Sequence, residues 1–205
     1  TAFGTEWKQI EEIAEKLEWL DVSKVTLSKF GLLSNKKLEK LLIERIGSPT
    51  FEEARIPLSM IATDICTGQR IILKSGSVSQ AVMASTCVPG VFVPVEIDGL
   101  LLVDGGIVEN VPISPLKEMG ADVIIGVDLN ANYAYKKPKN IVDVLVNSFH
   151  FTIKTATEYQ ISGADLLIKP NLSKFSRAQT DGIADMVEAG YAEAMNCLTQ
   201  KVLGA

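Results

Sequence analysis

Short apolar runs alternate with segments of helical periodicity through the second half of this 205-residue chain. The run at residues 123–127 is continuous and rich in β-branched side chains, as expected for an interior strand of a parallel sheet. Helical patterns at residues 140–160 and 180–202 flank a further short strand pattern at residues 165–169. This alternation predicts an α/β fold with a largely parallel central sheet flanked by helices.

The first third of the chain predicts two amphipathic helices joined by a connection. Apolar residues recur at helical spacing over residues 5–20, with Glu and Lys between them. Residues 21–33 are interpreted as the connection. Ser34 is the predicted N-cap of the second helix, and Gly47 ends it.

The middle of the chain carries turn and capping signals. Residues 58–65 and 70–74 are predicted strands around a turn, and Ser77 is predicted to cap a short helix through its spacing to Gln80. Residues 91–97 form a further strand pattern, which the dipeptide Asp98-Gly99 separates from the next one. Because Asp-Gly between two apolar runs is a strong hairpin signal, Asp98 already has a structural role.

The overall composition excludes several classes of function. Hydrophobic residues make up 47% and charged residues 22%, and the net charge is −5, so the chain is globular and we expect no nucleic-acid partner. Cys66, Cys87 and Cys197 are far apart without a CxxC pair, which argues against a disulfide framework and a zinc site. A reducing, cytoplasmic location is the simplest inference. No apolar run approaches the roughly 18 residues of a membrane span.

Asp104 ends the apolar run at residues 100–103 and is followed by Gly105 and Gly106. The run predicts a short buried strand, so the carboxylate is expected where that strand leaves the sheet, beside a cavity or an open edge. The glycines would let another group approach closely. The alternative is a plain turn, since Asp-Gly is a common turn dipeptide.

Five further residues are candidates for chemistry. Asp128 follows a predicted strand, where open α/β sheets place ligand groups, but a loop or capping role is favoured. Asp64 is interpreted as structural, and Ser85 and Thr86 as helix-terminus residues. His150, the single histidine, lies in a predicted helix and is interpreted as a packing or surface residue.

Several separate blocks of the chain, between about residues 56 and 130, resemble the patatin-like phospholipase family in order and spacing. The blocks are Ala62-Thr63-Asp64, Ala84-Ser85-Thr86-Cys87-Val88-Pro89-Gly90-Val91-Phe92, Asp98-Gly99, Leu102-Val103-Asp104-Gly105-Gly106, Asn110-Val111-Pro112 and Gly120-Ala121-Asp122. In that family an Asp-Gly-Gly or Asp-Gly-Ala motif carries the acid of a Ser-Asp catalytic dyad. The resemblance therefore implies that Asp104 is the catalytic acid, with Gly105 and Gly106 completing the motif.

The family also has two motifs that this sequence lacks, a glycine-rich oxyanion loop and a Gly-x-Ser-x-Gly elbow that carries the nucleophile. No serine of the sequence lies in that pattern. We therefore expect one patatin-like domain over residues 1–205, incomplete at its N-terminus, with the serine in a preceding βαβ unit of about 30 residues or more. Without that unit, an apolar face and an edge of the sheet should be bare.

The resemblance implies a serine acyl-ester hydrolase of the phospholipase or lysophospholipase type, in which Asp104 takes the serine proton. It implies a lipid or acyl-ester substrate, peripheral membrane contact, and no metal or organic cofactor. An acyltransferase on the same fold and a non-catalytic lipid-binding or regulatory module are the open alternatives. An unrelated nucleotide-binding module would need a Gly-x-Gly-x-x-Gly loop, which the sequence lacks.

Overall fold

The computed structural model describes all residues except 18–22, 27, 133–136, 176–181 and 204–205. It divides the chain into two compact units, Thr1–Val108 and Glu109–Ala205. Both contain helices and strands, as the predicted α/β class requires. The prediction that residues 1–205 make a single domain stays a prediction.

The first unit contains two sheets and three α-helices among its described residues. Its helices are α1 (Trp7–Lys16), α2 (Lys36–Ile46) and α3 (Val78–Ser85), and its strands are β1 (Lys24–Val25), β2 (Gly31–Ser34), β3 (Met60–Asp64), β4 (Arg70–Leu73), β5 (Gly90–Phe92), β6 (Val95–Ile97) and β7 (Leu100–Asp104). Four strands form an antiparallel sheet in the order β4-β3-β7-β6, and three form a mixed sheet in the order β1-β2-β5.

The second unit contains one short parallel pair of strands among its described residues. Its helices are α4 (Ser114–Glu118), α5 (Ile141–Gln160) and α6 (Ile183–Leu203), and its strands are β8 (Ile125–Val127) and β9 (Leu166–Ile168). Asn140 caps α5 by accepting a hydrogen bond from the backbone N–H of Asp143, at 2.9 Å. The long connection through α5 allows β8 and β9 to run parallel.

The prediction of a largely parallel central sheet is not confirmed, because the sheets are small and mixed. Of the six strand pairs in the described part of the chain, four are antiparallel. Gly68, with φ of 72°, allows the tight turn from β3 to β4, while Asp98 and Gly99, with φ of 51° and 77°, form the turn from β6 to β7. Connections this short can join only antiparallel neighbours.

Several predicted boundaries also need correction. Residues 21–33, interpreted as a connection, contain β1 and the start of β2, and the N-cap of α2 is Asn35 rather than Ser34. Residues 91–97 do not form one strand, because Pro94 separates β5 from β6 and cannot donate a backbone hydrogen bond to a sheet. The predicted cap at Ser77 is confirmed, since its hydroxyl accepts from the backbone N–H of Gln80.

The core of the first unit lies between α3 and the antiparallel sheet. Ala62, Ala84 and Leu102 are fully buried and pack together, which brings the helix against the two central strands. Close by along β7, Val103 packs with Cys87 and Phe92. The last residues of β7 are therefore held by packing on the strand that delivers Asp104.

Candidate active site

Asp104 is the last residue of β7 and is partly buried. It lies opposite Ala62 of β3 in the antiparallel register. Its backbone N–H donates to the carbonyl of Cys87 at 2.9 Å, and its own carbonyl accepts from the hydroxyl of Thr63 at 2.9 Å. The backbone of Asp104 is thus held from two directions at the end of a strand and not at the tip of a hairpin, as the sequence predicts. Because β7 pairs with both β3 and β6, this strand is not at an open edge of its sheet, and a cavity beside Asp104 stays a prediction.

Only one of the two carboxylate oxygens of Asp104 accepts a hydrogen bond from the described residues. Its Oδ1 accepts from the backbone N–H of Gly106 at 2.8 Å, whereas no residue that the structure describes donates to Oδ2. Burial raises the pKa of Asp104 above its ordinary value, and the hydrogen bond from Gly106 opposes that rise. The result is an oriented carboxyl group with an available oxygen and increased basicity, two properties that a direct proton acceptor needs.

The two glycines after Asp104 have different roles. A Cβ on Gly105 would overlap the backbone carbonyl of Ile61 and lie 2.8 Å from the Ile61 Cβ, so this position must lack a side chain for β3 to pass so closely. Gly106 supplies the N–H that orients the carboxylate. The close approach that Gly105 permits here is to β3, a contact that the sequence could not reveal.

Cys87 lies beside Asp104, a contact that the sequence motifs do not reveal. Its side chain is fully buried, and its Sγ donates to the carbonyl of Val93 at 3.3 Å. Burial, together with the negative charge of Asp104, raises the pKa of Cys87 to about 12. Since a thiol must ionise to act as a nucleophile, Cys87 at neutral pH is a neutral packing residue.

Asp64 and Asp128 each orient a turn. The Asp64 carboxylate accepts from the hydroxyl of Thr67 at 2.6 Å and from the backbone N–H of Cys66 at 3.1 Å. These hydrogen bonds lower the pKa of Asp64. The Oδ1 of Asp128 accepts from the backbone N–H of Asn130 at 2.9 Å. Both geometries agree with the structural roles that were favoured from the sequence.

The remaining three candidates lie on helices. Ser85 is the last residue of α3, and Thr86 follows as its C-cap with its hydroxyl donating to the carbonyl of Val82 at 2.8 Å. Both are therefore helix-terminus residues, as predicted. His150 lies within α5 of the second unit, where its ring is tilted against that of Phe149 with centroids 6.0 Å apart. This contact is consistent with the predicted packing or surface role.

The described residues contain no group of three or more His, Cys, Asp or Glu side chains arranged to hold a metal ion. In the same part of the chain, every helix is too short or too polar to cross a bilayer.

Residues 5–117 match the family model of the patatin-like phospholipases. An uncharacterized NTE family protein of Mycobacterium bovis is 35% identical over 109 residues, which cover 53% of this chain and 30% of that protein. A second uncharacterized NTE family protein, from Mycobacterium tuberculosis, is 25% identical over 193 residues, 82% of this chain and 33% of that protein. A lysophospholipase of Cryptococcus neoformans is 29% identical over 113 residues, 55% of this chain and 7% of that protein.

The chain thus spans about a third or less of the length of these curated relatives. The family match begins at residue 5, so it includes the front part, where the sequence motifs by themselves show only a weak resemblance. It also includes the whole of β7 and the Asp104-Gly105-Gly106 motif.

Proposed function

Since this chain belongs to the patatin-like phospholipase family, we propose that it is part of a serine acyl-ester hydrolase that acts on phospholipids or lysophospholipids. The observation that carries the proposal is the carboxylate of Asp104, which is oriented by Gly106 and made more basic by burial. The similarity to a lysophospholipase supports the substrate class. The three free cysteines support a cytoplasmic location, which belongs to the same proposal.

In the proposed reaction, Asp104 acts directly as general base without an intervening histidine. Its Oδ2 takes the proton of a serine hydroxyl as the serine oxygen attacks the ester carbonyl. When the tetrahedral intermediate collapses, Asp104 returns that proton to the leaving alcohol. A water molecule then gives its proton to Asp104 and attacks the acyl-serine, and the proton passes to the serine oxygen as the fatty acid leaves.

We assign the serine and the oxyanion donors to sequence upstream of Thr1, in a Gly-x-Ser-x-Gly elbow and a glycine-rich loop. Two observations support this assignment: neither motif occurs in these 205 residues, and the matched regions cover only 30% and 33% of the two mycobacterial relatives and 7% of the fungal one. In this proposal, the strands of the upstream unit add to the strands described here and make the central sheet largely parallel.

The raised pKa of Asp104 gives the proposal a property that can be measured. An ordinary Asp, with a pKa of about 3.9, is a weak base toward a serine hydroxyl. Because burial raises the pKa of Asp104, activity should fall on acidification at a pH above that ordinary value.

The decisive experiment uses the longer protein that includes this chain and compares Asp104→Asn with Asp98→Asn. Asn preserves the shape of Asp104 but cannot take a proton, so turnover of a p-nitrophenyl ester and of a lysophospholipid should fall by about 10²–10⁴-fold. Asp98→Asn is the matched control, because Asn is well suited to the positive φ of 51° in that turn.

Wild-type turnover in Asp104→Asn would contradict the role of Asp104. An inactive wild-type protein that still binds lysophospholipid would instead support the alternative of a non-catalytic lipid-binding module.

A further inference from the structure

Residues 23–40 concentrate positive charge in a chain that is acidic overall. This segment contains the five lysines Lys24, Lys29, Lys36, Lys37 and Lys40 and the single acid Glu39, so its net charge is +4, whereas the net charge of the whole chain is −5. This segment is therefore locally basic within an acidic chain.

The fold brings most of this charge to one surface. Lys24 on β1 and Lys36, Lys37 and Lys40 on the first turns of α2 line one cavity of about 850 Å³. Lys24, Lys36 and Lys40 are exposed. The backbone N–H groups at the start of α2 add positive potential, because the helix dipole points its positive end there.

Large apolar side chains are exposed in the same hairpin. Val25, which lines the cavity, is 74% exposed, and Phe30 and Leu32 are 65% and 63% exposed. Leu32 lies across from Thr26, whose backbone N–H donates to the Leu32 carbonyl at 3.1 Å. Exposure of these apolar side chains to water is unfavourable in free energy, and contact with another apolar surface would remove that cost.

We define the hairpin surface by these six residues: Lys24, Val25, Phe30, Leu32, Lys36 and Lys40. We propose that the hairpin surface binds the face of an anionic lipid bilayer. The lysines contact the anionic headgroups while the apolar side chains enter the boundary between headgroups and acyl chains. A nucleic acid would meet the charges but leave the apolar side chains in water, so the combination favours a bilayer. This inference requires no catalysis and goes beyond the proposed hydrolase.

The test is flotation of the 205-residue chain with lipid vesicles, in which bound protein rises with the lipid and aggregated protein sinks. One set of vesicles contains phosphatidylcholine only, and the other contains about one third phosphatidylserine. We expect much stronger binding to the anionic vesicles at low salt, and weaker binding as added salt screens the lysines.

The charge contribution is isolated with Lys24→Gln, Lys36→Gln and Lys40→Gln combined. Each lysine near an anionic surface contributes about fivefold to binding, so the partition coefficient should fall by roughly 100-fold at low salt. The matched control combines Lys137→Gln, Lys139→Gln and Lys169→Gln, which removes three lysines of the second unit that are also exposed. The control should bind like the wild type.

The apolar contribution is isolated with Phe30→Ser and Leu32→Ser combined. This variant should bind roughly tenfold more weakly at both low and high salt, because insertion of apolar groups is not screened by ions. No binding to anionic vesicles, equal losses in the lysine variant and its control, or stronger binding to a DNA duplex than to vesicles would each overturn the proposal.

Ester hydrolysis distinguishes this proposal from the preceding one. In the longer protein, the triple lysine variant should hydrolyse a soluble p-nitrophenyl ester at the wild-type rate while losing its vesicle binding. Loss of hydrolysis in Asp104→Asn with vesicle binding intact would support both proposals separately.

Discussion

Asp64 and Asp104 end two neighbouring strands, yet their surroundings shift the pKa of each in opposite directions. Burial raises the pKa of Asp104, and its carboxylate accepts one hydrogen bond from the described residues. The pKa of Asp64 is lowered, because Thr67 and Cys66 both donate hydrogen bonds to its charged form. The first arrangement keeps a carboxylate reactive, and the second makes a carboxylate part of a turn.

Asp104→Asn is expected to separate stability from activity. A pKa raised in the folded state means that folding favours the protonated form of Asp104 over the charged form. The stability that the protonated form contributes is complete below the unfolded pKa of about 3.9 and is lost as pH rises through the folded pKa. The Asn Oδ1 can still accept from Gly106. Urea unfolding of the 205-residue chain should therefore show a larger gain, or a smaller loss, for Asp104→Asn at neutral pH than in acid; a pH-independent difference would contradict the assigned pKa shift.

Asp64→Asn should behave in the opposite way. Because the pKa of Asp64 is lowered by folding, its contribution to stability is present above the unfolded pKa and is lost as pH falls through the folded pKa. Asp64→Asn should destabilise the chain at neutral pH, and the difference from the wild type should shrink in acid. The same unfolding series measures both variants, and a difference that grew on acidification would show that the hydrogen bonds from Thr67 and Cys66 do not favour the charged form.

At the scale of elements, Gly105 determines how closely β7 and its following turn can approach β3. Gly105→Ala would force the backbone of Ile61 to move, and we expect a loss of about 1–3 kcal/mol in the free energy of unfolding. Gly190→Ala is the matched control, because a Cβ at this position in α6 meets nothing within 4 Å and Ala is the better helix former.

Gly190→Ala should therefore stabilise the chain by about 0.8–1.0 kcal/mol. Chemical denaturation measures both changes. If Gly105→Ala were neutral, the close approach of Gly105 to Ile61 would not contribute to the fold as described.

At the scale of the whole molecule, one apolar face lies open along β8. Val123, Ile125, Val127 and Leu129 occupy alternate positions and are 47% to 65% exposed. The sequence run there predicts an interior strand buried on both faces, but only Ile124 and Gly126, on the opposite face, are buried. Exposed apolar faces of this kind favour association with another apolar surface.

We therefore expect the 205-residue chain to self-associate and to bind a hydrophobic dye. Ile125→Thr combined with Val127→Thr should reduce both, as measured by light scattering and dye fluorescence. Ile56→Thr combined with Ile65→Thr is the control, since these exposed side chains lie outside the strands. An equal reduction in the control would contradict a specific role for the β8 face.

Much of the local structure followed from the sequence alone, because each feature depends on a few neighbouring residues. The cap at Ser77, the hairpin turn at Asp98-Gly99 and the start of α5 at Asn140 all lie where the local pattern predicts them. The apolar run before Asp104 likewise placed this acid at a strand end, and the motif blocks identified the family.

The tertiary structure decided what depends on residues far apart in the chain. The antiparallel pairing of β3 with β7, the contact of Gly105 with Ile61 and the position of Cys87 beside Asp104 join segments that local patterns treat separately. The gathering of Lys24 and Lys40 around one cavity is of the same kind. Propensity and periodicity specify which residues form a strand or helix and which face is apolar, but partner, direction and distance are set by packing between elements, and those contacts determine the burial that shifts the pKa of Asp104.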